Sequence, residues 1–131
     1  MLLVSASMTT PADWQIIARP TELHATTFPL TLRRQGRDGA HAYPGEGFAI
    51  MLGGEIRAYH NACPHTGSPL DWLPGRFFSD DGRALVCATH GARFDPLTGA
   101  CLSGPCPRGL YPLAVRDLGD AVSVPCDDVA H

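Results

Sequence analysis

No apolar run in this chain approaches the roughly 20 residues that a membrane-spanning helix needs, and none of its segments keeps a 3.6-residue apolar period over three turns. The first observation argues against an integral membrane protein of helices, the second against a helical bundle. The opening MLLVSASMTT has a short apolar patch without a basic segment before it, and Arg33-Arg34 is followed by QGRDGA rather than by an apolar stretch. Neither has the form of an export signal. Positive charge is not in excess: ten basic residues stand against 13 acidic ones, for a net charge of -3, which is a poor match to a nucleic-acid binder. Five cysteines, an odd number in a chain without an export signal, make a poor disulfide framework. Repeats and low-complexity tracts are missing too. Together these absences lead to the expectation of a cytoplasmic, soluble monomer, with residues 1–11 a flexible tail and Met8 an alternative start.

What is present is turn chemistry. Glycine (14) and proline (12) are abundant for 131 residues, and 44% of the chain is hydrophobic. That suits one domain with an ordinary core, rich in loops and built of strands. DWQIIARP (13–20) predicts a strand ended by Pro20, and FAIML-GG-EIRAYHN (48–61) a hairpin about two glycines. RFFSDDGRALVC (76–87) predicts a second hairpin, with Asp80 and Asp81 as turn residues. LYPLAVRDLGDAVSVP (110–125) predicts a third, about LGD. Residues 28–47, broken by Pro29, Pro44 and four glycines, are expected to be mostly connection, with a strand at 30–34. The expected architecture is all-β, a small antiparallel sandwich or barrel of eight to ten short strands.

Two segments carry the chemistry. Cys63-Pro64-His65 has one residue between cysteine and histidine, Cys87-Ala88-Thr89-His90 has two, and 21 residues separate the segments. Both follow predicted strands, and glycine comes soon after each, at Gly67 and Gly91. Glycine lets a backbone turn tightly and approach a bulky object. Structural zinc sites of two Cys and two His usually group like ligands together, whereas here each segment mixes them, although the donor set would still bind zinc. A cysteine nucleophile needs one thiol, one base and an orienting group, which leaves the second pair unexplained. Core cysteines with satisfied histidines account for a lone pair better than for two. The remaining reading is a [2Fe–2S] centre in which two Cys hold one iron and two His the other.

On these residues the chain resembles the Rieske ferredoxins. Their signature, C-x-H, a gap, then C-x-x-H, stands here as Cys63-Pro64-His65 and Cys87-Ala88-Thr89-His90. CPHTGSPL (63–70) and CATHGARFDPLTGACLSGPCP (87–107) look like family loops, and GPCP (104–107) resembles the proline-rich loop that covers the cluster from a third side. The resemblance spans about residues 48–116. It implies a Rieske domain over residues 12–127, its cluster-binding part (about 59–108) built from two loops. It also implies one [2Fe–2S] cluster held by Cys63, His65, Cys87 and His90, and an electron carrier without catalysis of its own. The implied partners are a reductase upstream and a terminal oxygenase or similar enzyme downstream.

High-potential respiratory members differ by an extra Cys in each ligand loop, which form a disulfide, and by a Ser and a Tyr whose hydroxyls bond near the cluster. Here the corresponding residues are Ser68, Ala88 or Thr89, Ala92 and Phe94. Fewer hydrogen bonds to sulfur disfavour the reduced state, so a potential near the bottom of the Rieske range is expected. The alternatives are the small Rieske subunit of an assimilatory nitrite reductase, the Rieske fragment of a ring-hydroxylating oxygenase, and a zinc-stabilised binding module. The oxygenase needs a further two-His, one-carboxylate iron site. After His90 this sequence offers only His131 for it. Cys106 is expected to pack or tune beside the cluster, Cys101 and Cys126 to be bystander thiols, and a Cys101–Cys106 disulfide is not expected in a reducing compartment. His24, His41, His60 and His131 read as surface or loop residues, with His60 the nearest to the ligands. Leu70, Trp72 and Leu73 read as packing for the first ligand loop.

Overall fold

The computed structural model describes residues 13–36, 39–64, 67–71, 73 and 75–130. The expected tail (1–11), His65, Trp72 and His131 lie outside them. Among the described residues there are eleven strands and no α-helix, so none is long and apolar enough to cross a membrane. A five-stranded sheet runs β11 (Asp127–Val129), β2 (Ala25–Gly36), β3 (Gly39–Leu52), β4 (Glu55–His60), β8 (Pro112–Leu113). It is antiparallel except that β11 lies parallel to β2. A three-stranded sheet, β1 (Trp14–Ala18), β10 (Val122–Pro125) and β9 (Arg116–Asp117), packs on one side of it. On the other side is a small sheet of β5 (Leu85–Val86), β6 (Arg93–Phe94) and β7 (Cys101–Ser103).

β3 divides two cores because side chains alternate across a strand. Phe48 and Ile50 point to one, with Tyr59, Leu70, Phe77, Leu85, Phe94, Cys63 and Cys87. Ala49 faces the other, with Phe28, Leu30, Val122 and Val124. Phe48 stacks on Phe77 with ring centres 4.2 Å apart, fastening the large sheet to the segment ahead of β5. The expected Gly-Gly hairpin forms: Leu52 pairs with Glu55, and Gly53 (φ +59°) and Gly54 (φ +82°) both take the left-handed conformation that suits the strand twist.

Two expectations need correction. Residues 28–47 are not connection but most of a long hairpin, β2 with β3. Its prolines stand where each strand has a strand partner on one side only: β2 meets β11 at 31–33, beyond Pro29, and β3 meets β4 from Gly47, beyond Pro44. A missing N–H costs little there. Gly45 and Gly47 are packing devices. A Cβ on Gly45 would come within 2.6 Å of Leu32 Cδ1, and one on Gly47 within 2.5 Å of the Phe28 ring. The expected hairpin over 110–125 is also divided. Its first half splits into β8, paired with β4, and β9, paired with β10 about the LGD turn, so it bridges two sheets. The hairpin about DDG forms loosely, through a single Phe78–Leu85 bridge.

Candidate metal centre

Each cysteine of the two Cys-His segments begins a turn with the same frame. At the first, the Gly67 N–H donates to the Cys63 carbonyl (2.7 Å) and the Cys63 N–H to the Ser68 carbonyl (2.8 Å). At the second, the Gly91 N–H donates to the Cys87 carbonyl (2.8 Å) and the Cys87 N–H to the Ala92 carbonyl (2.9 Å). Gly67 (φ +80°) and Gly91 (φ +73°) close the turns in the left-handed region, where a side chain would be strained. Within this common frame histidine and threonine exchange places. In the sequence, PHT stands between Cys63 and Gly67, and ATH between Cys87 and Gly91. The unequal Cys-His spacings are therefore two settings of one turn.

Three contacts lace the turns together. The Ala88 N–H donates to the Leu70 carbonyl (3.0 Å), Ser68 Oγ and Thr89 Oγ1 lie 3.1 Å apart, and Leu70 is fully buried between the loops and the large sheet. The first turn is also tied back to the sheet by a residue that sequence reasoning passed over. Asn61 is buried; its side-chain NH2 donates to Glu46 (2.6 Å) and Asp71 (2.9 Å), and its oxygen accepts the Leu70 N–H (2.9 Å). Its backbone N–H donates to the Glu46 carbonyl (2.8 Å). The signal was an asparagine at the end of a predicted strand and two residues before a ligand candidate.

Cys63 and Cys87 are both buried, at 2% and 0% exposure, and the Cys87 thiol hydrogen-bonds to Cys63. Burial pushes the Cys87 thiol up and Cys63 beside it pushes it further. The Thr89 N–H and hydroxyl, both donating to the Cys87 sulfur, pull the other way. Two neutral thiols in contact in an apolar pocket satisfy each other weakly. A soft cation that displaces both protons would be held by two thiolates there, with donors already aimed at one of them. The donor set therefore fits an iron of a cluster.

Of the four predicted ligands, the structure brings Cys63 and Cys87 together. His90 is exposed on the second turn, and His65 falls outside the described residues. Among the described residues no group of three or more His, Cys, Asp or Glu side chains is assembled as a metal site.

Other candidates fall as follows. His24 and His41 are exposed as expected, and Leu73 is exposed rather than packed. His60 is not a surface histidine: it is buried, its Nε2 2.7 Å from Asp128 Oδ2, which joins β4 to β11. Asp81 caps its turn as expected, accepting from Ser79 Oγ (2.6 Å) and the Arg83 N–H (3.0 Å). Cys101 is not a bystander. It is disulfide-bonded to Cys106, with Cα atoms 6.0 Å apart, because β7 and the loop after it return the two residues to the same edge of the small sheet. Cys126 is a free thiol between β10 and β11.

The family model of the Rieske [2Fe-2S] domain matches residues 13–124. No curated protein matches the sequence. Among solved structures, the fold is similar to the ferredoxin of carbazole 1,9a-dioxygenase from Nocardioides aromaticivorans IC177, with TM-score 0.61 and 23% identity over 86% of this chain and 96% of that one. It is similar also to a chain in a complex of reduced oxygenase and oxidized ferredoxin in carbazole 1,9a-dioxygenase (TM-score 0.62, 21% identity, 90% of this chain and 97% of that one). A third similar structure is a plasma membrane Rieske protein of the cyanobacterium Synechocystis PCC 6803 (TM-score 0.57, 23% identity, 84% and 97%).

Proposed function

The chain belongs to the Rieske [2Fe–2S] domain family, whose members bind one Rieske-type cluster, and we propose that it serves as a ferredoxin, carrying single electrons from a reductase to a terminal oxygenase or related redox enzyme. The observation that carries this is the buried Cys63–Cys87 pair, delivered by two turns of one frame. We read Cys63, His65, Cys87 and His90 as the ligands, within a single domain over 12–127 whose cluster-binding part is about 59–108. In such a centre the cysteines share one iron and the histidines the other.

The cluster supplies a one-electron couple, and two neutral imidazoles in place of thiolates raise its potential above that of all-cysteine clusters. The chain's own residues do the rest. The apolar core beneath excludes water from the sulfur side, Thr89 donates to Cys87, and exposed His90 stands where a partner would approach. With no hydroxyl at Ala92 or Phe94, and one donor to Cys87 at Thr89, the potential belongs in the lower part of the family's span. A ferredoxin partnered with an oxygenase has a counterpart in the similar structure of that description.

The test is direct. The purified protein should be red-brown, and after dithionite reduction its EPR spectrum should have the low average g of a histidine-ligated cluster. Stoichiometric zinc in a colourless protein would sink the proposal. A midpoint above about +150 mV would sink the low-potential part of it.

A further inference from the structure

The Cys101–Cys106 disulfide lies beside the site without belonging to the ligand set. Cys101 pairs with Phe94 across β6 and β7, and both cysteines pack on the core that holds Cys63 and Cys87. The backbone between them presses on the second ligand turn: a Cβ on Gly104 would come within 2.9 Å of Ala92 Cα, two residues after His90. The loop carries a local bond from the Cys106 N–H to the Gly104 carbonyl (2.9 Å), and its far end packs at Gly109, where a Cβ would come within 2.6 Å of the Gly99 carbonyl oxygen. The disulfide ties the loop covalently to the first residue of β7.

We propose that Cys101–Cys106 is a dithiol–disulfide switch, opened by an external dithiol, that holds the 104–107 loop over the second ligand turn and so governs how firmly the cluster is retained. The inference rests on the reading of the chain as a cluster carrier. Both cysteines are half-buried, while Cys63 and Cys87 are buried and Cys126 stands in a different part of the fold. A bridge across five residues restricts the unfolded chain less than a long-range one does, so a stabilising role alone accounts for it poorly. The open state also has a place for its new hydrogen. Cys106 Sγ lies 3.3 Å from the Ser103 carbonyl oxygen, a contact that a bonded sulfur cannot use as a donor and a thiol can.

The exchange balances without the cluster. One thiolate of the external dithiol attacks one sulfur of the pair, forms a mixed disulfide and releases the other sulfur as a thiolate, which takes a proton. The second external thiolate then attacks its own tethered sulfur and releases the remaining protein thiolate, which is also protonated. Two electrons and two protons pass to the protein, and the external dithiol leaves as a disulfide.

To test this, the holoprotein is poised with graded ratios of reduced to oxidised dithiothreitol, alkylated and mapped by mass spectrometry, while iron release to a chelator is followed in parallel. Cys101 and Cys106 should become labelled together, in one two-electron step, with Cys63 and Cys87 protected. Iron release should quicken several-fold over the same range. A Cys101→Ser/Cys106→Ser variant should release iron at the fast rate with or without dithiothreitol. A pair that reduces without changing iron release overturns the proposal. So does one that stays oxidised until the protein unfolds, or a double variant whose iron release responds to dithiothreitol as the native protein's does. An iron-free preparation counts against the cluster reading instead, and alkylation still shows whether the pair cycles.

Discussion

The second ligand turn and the turn that follows it eight residues later share a backbone and differ in what they do. At the later one the Gly99 N–H donates to the Asp95 carbonyl (2.7 Å) and the Asp95 N–H to the Ala100 carbonyl (2.8 Å), repeating the bonds of Cys87, Gly91 and Ala92. Gly99 has φ +78° against +73° for Gly91. Even the side-chain bond recurs: Asp95 Oδ1 accepts the Leu97 N–H (2.8 Å) as the Cys87 sulfur accepts that of Thr89, each two residues on. CATHGA and DPLTGA are therefore one turn used twice. The frame is generic, and the site depends on a sulfur placed where a second buried sulfur meets it. Asp95 meets no such partner and spends its carboxylate on its own turn.

That contrast is easiest to break at the cysteine. Cys87→Ser keeps a group that can accept the Thr89 N–H but removes a thiolate, so bound iron should fall to background by metal analysis and the visible colour should vanish. Asp95→Ala removes the capping oxygen of the later turn and should leave iron content unchanged, at a cost of about 1 kcal/mol in urea unfolding. Equal iron loss in both variants would mean that the frame, and not the sulfur, makes the site. Next in size is Asn61→Ala. It leaves the Leu70 N–H without its acceptor and Glu46 and Asp71 without their shared donor in a buried place. About 2–4 kcal/mol of stability should go, judged from the cost of buried unpaired groups. Iron release should quicken too, because Asn61 ties down the first turn and not the second.

The ligand pattern was legible because its chemistry is local: cysteine, histidine and glycine within five residues, twice. The turns at Gly53-Gly54, Asp81-Gly82 and Leu118-Gly119 were legible for the same reason. The long β2–β3 hairpin was not, because glycine and proline signal loops unless their neighbours are known. Gly45 and Gly47 are explained only by Leu32 and Phe28 across the register. Asn61 and His60 were missed because their partners, Glu46, Asp71 and Asp128, are distant in sequence or have no fixed spacing. The repeated turn could have been found by aligning CPHTGS, CATHGA and DPLTGA, three segments that agree at the glycine and at the small residue after it.

Tyr59 links the later turn to the large sheet, its hydroxyl donating to the Pro96 carbonyl (2.7 Å). Burial pushes its pKa up to about 12, with Asp95 adding to the rise and Arg57 opposing it. Since the unfolded chain ionises this group near 10, it holds fewer protons than the folded protein between those values, and stability must fall as pH rises from about 10 to 12. The loss attached to Tyr59 should reach about 2 kcal/mol. Urea unfolding at pH 9 and pH 11 should show that slope in the native protein and lose it in Tyr59→Phe, which at pH 7 costs about 1 kcal/mol for the hydrogen bond. An unchanged slope in the variant would place the alkaline sensitivity elsewhere.

The smallest effect bears most closely on what separates the two turns. Thr89 gives the Cys87 sulfur a hydroxyl donor and reaches Ser68 of the other ligand turn, whereas Asp95 receives only backbone N–H groups at the corresponding places. A donor to a ligand sulfur favours the extra electron of the reduced state, so Thr89→Val, which keeps the shape and removes the hydroxyl, should lower the midpoint potential. One hydrogen bond of about 0.5–1.5 kcal/mol corresponds to about 20–60 mV for a one-electron couple. Ser68→Ala, which removes only the hydroxyl behind Thr89, should shift the potential in the same direction by less. Thr98→Val, which removes a hydroxyl from the later turn at the position that His90 holds in the ligand turn, should not shift it at all. A Thr89→Val potential within error of the native value would show that the hydroxyl orders the loop without acting on the sulfur, and the thermal stability of the apo form would then carry the whole effect.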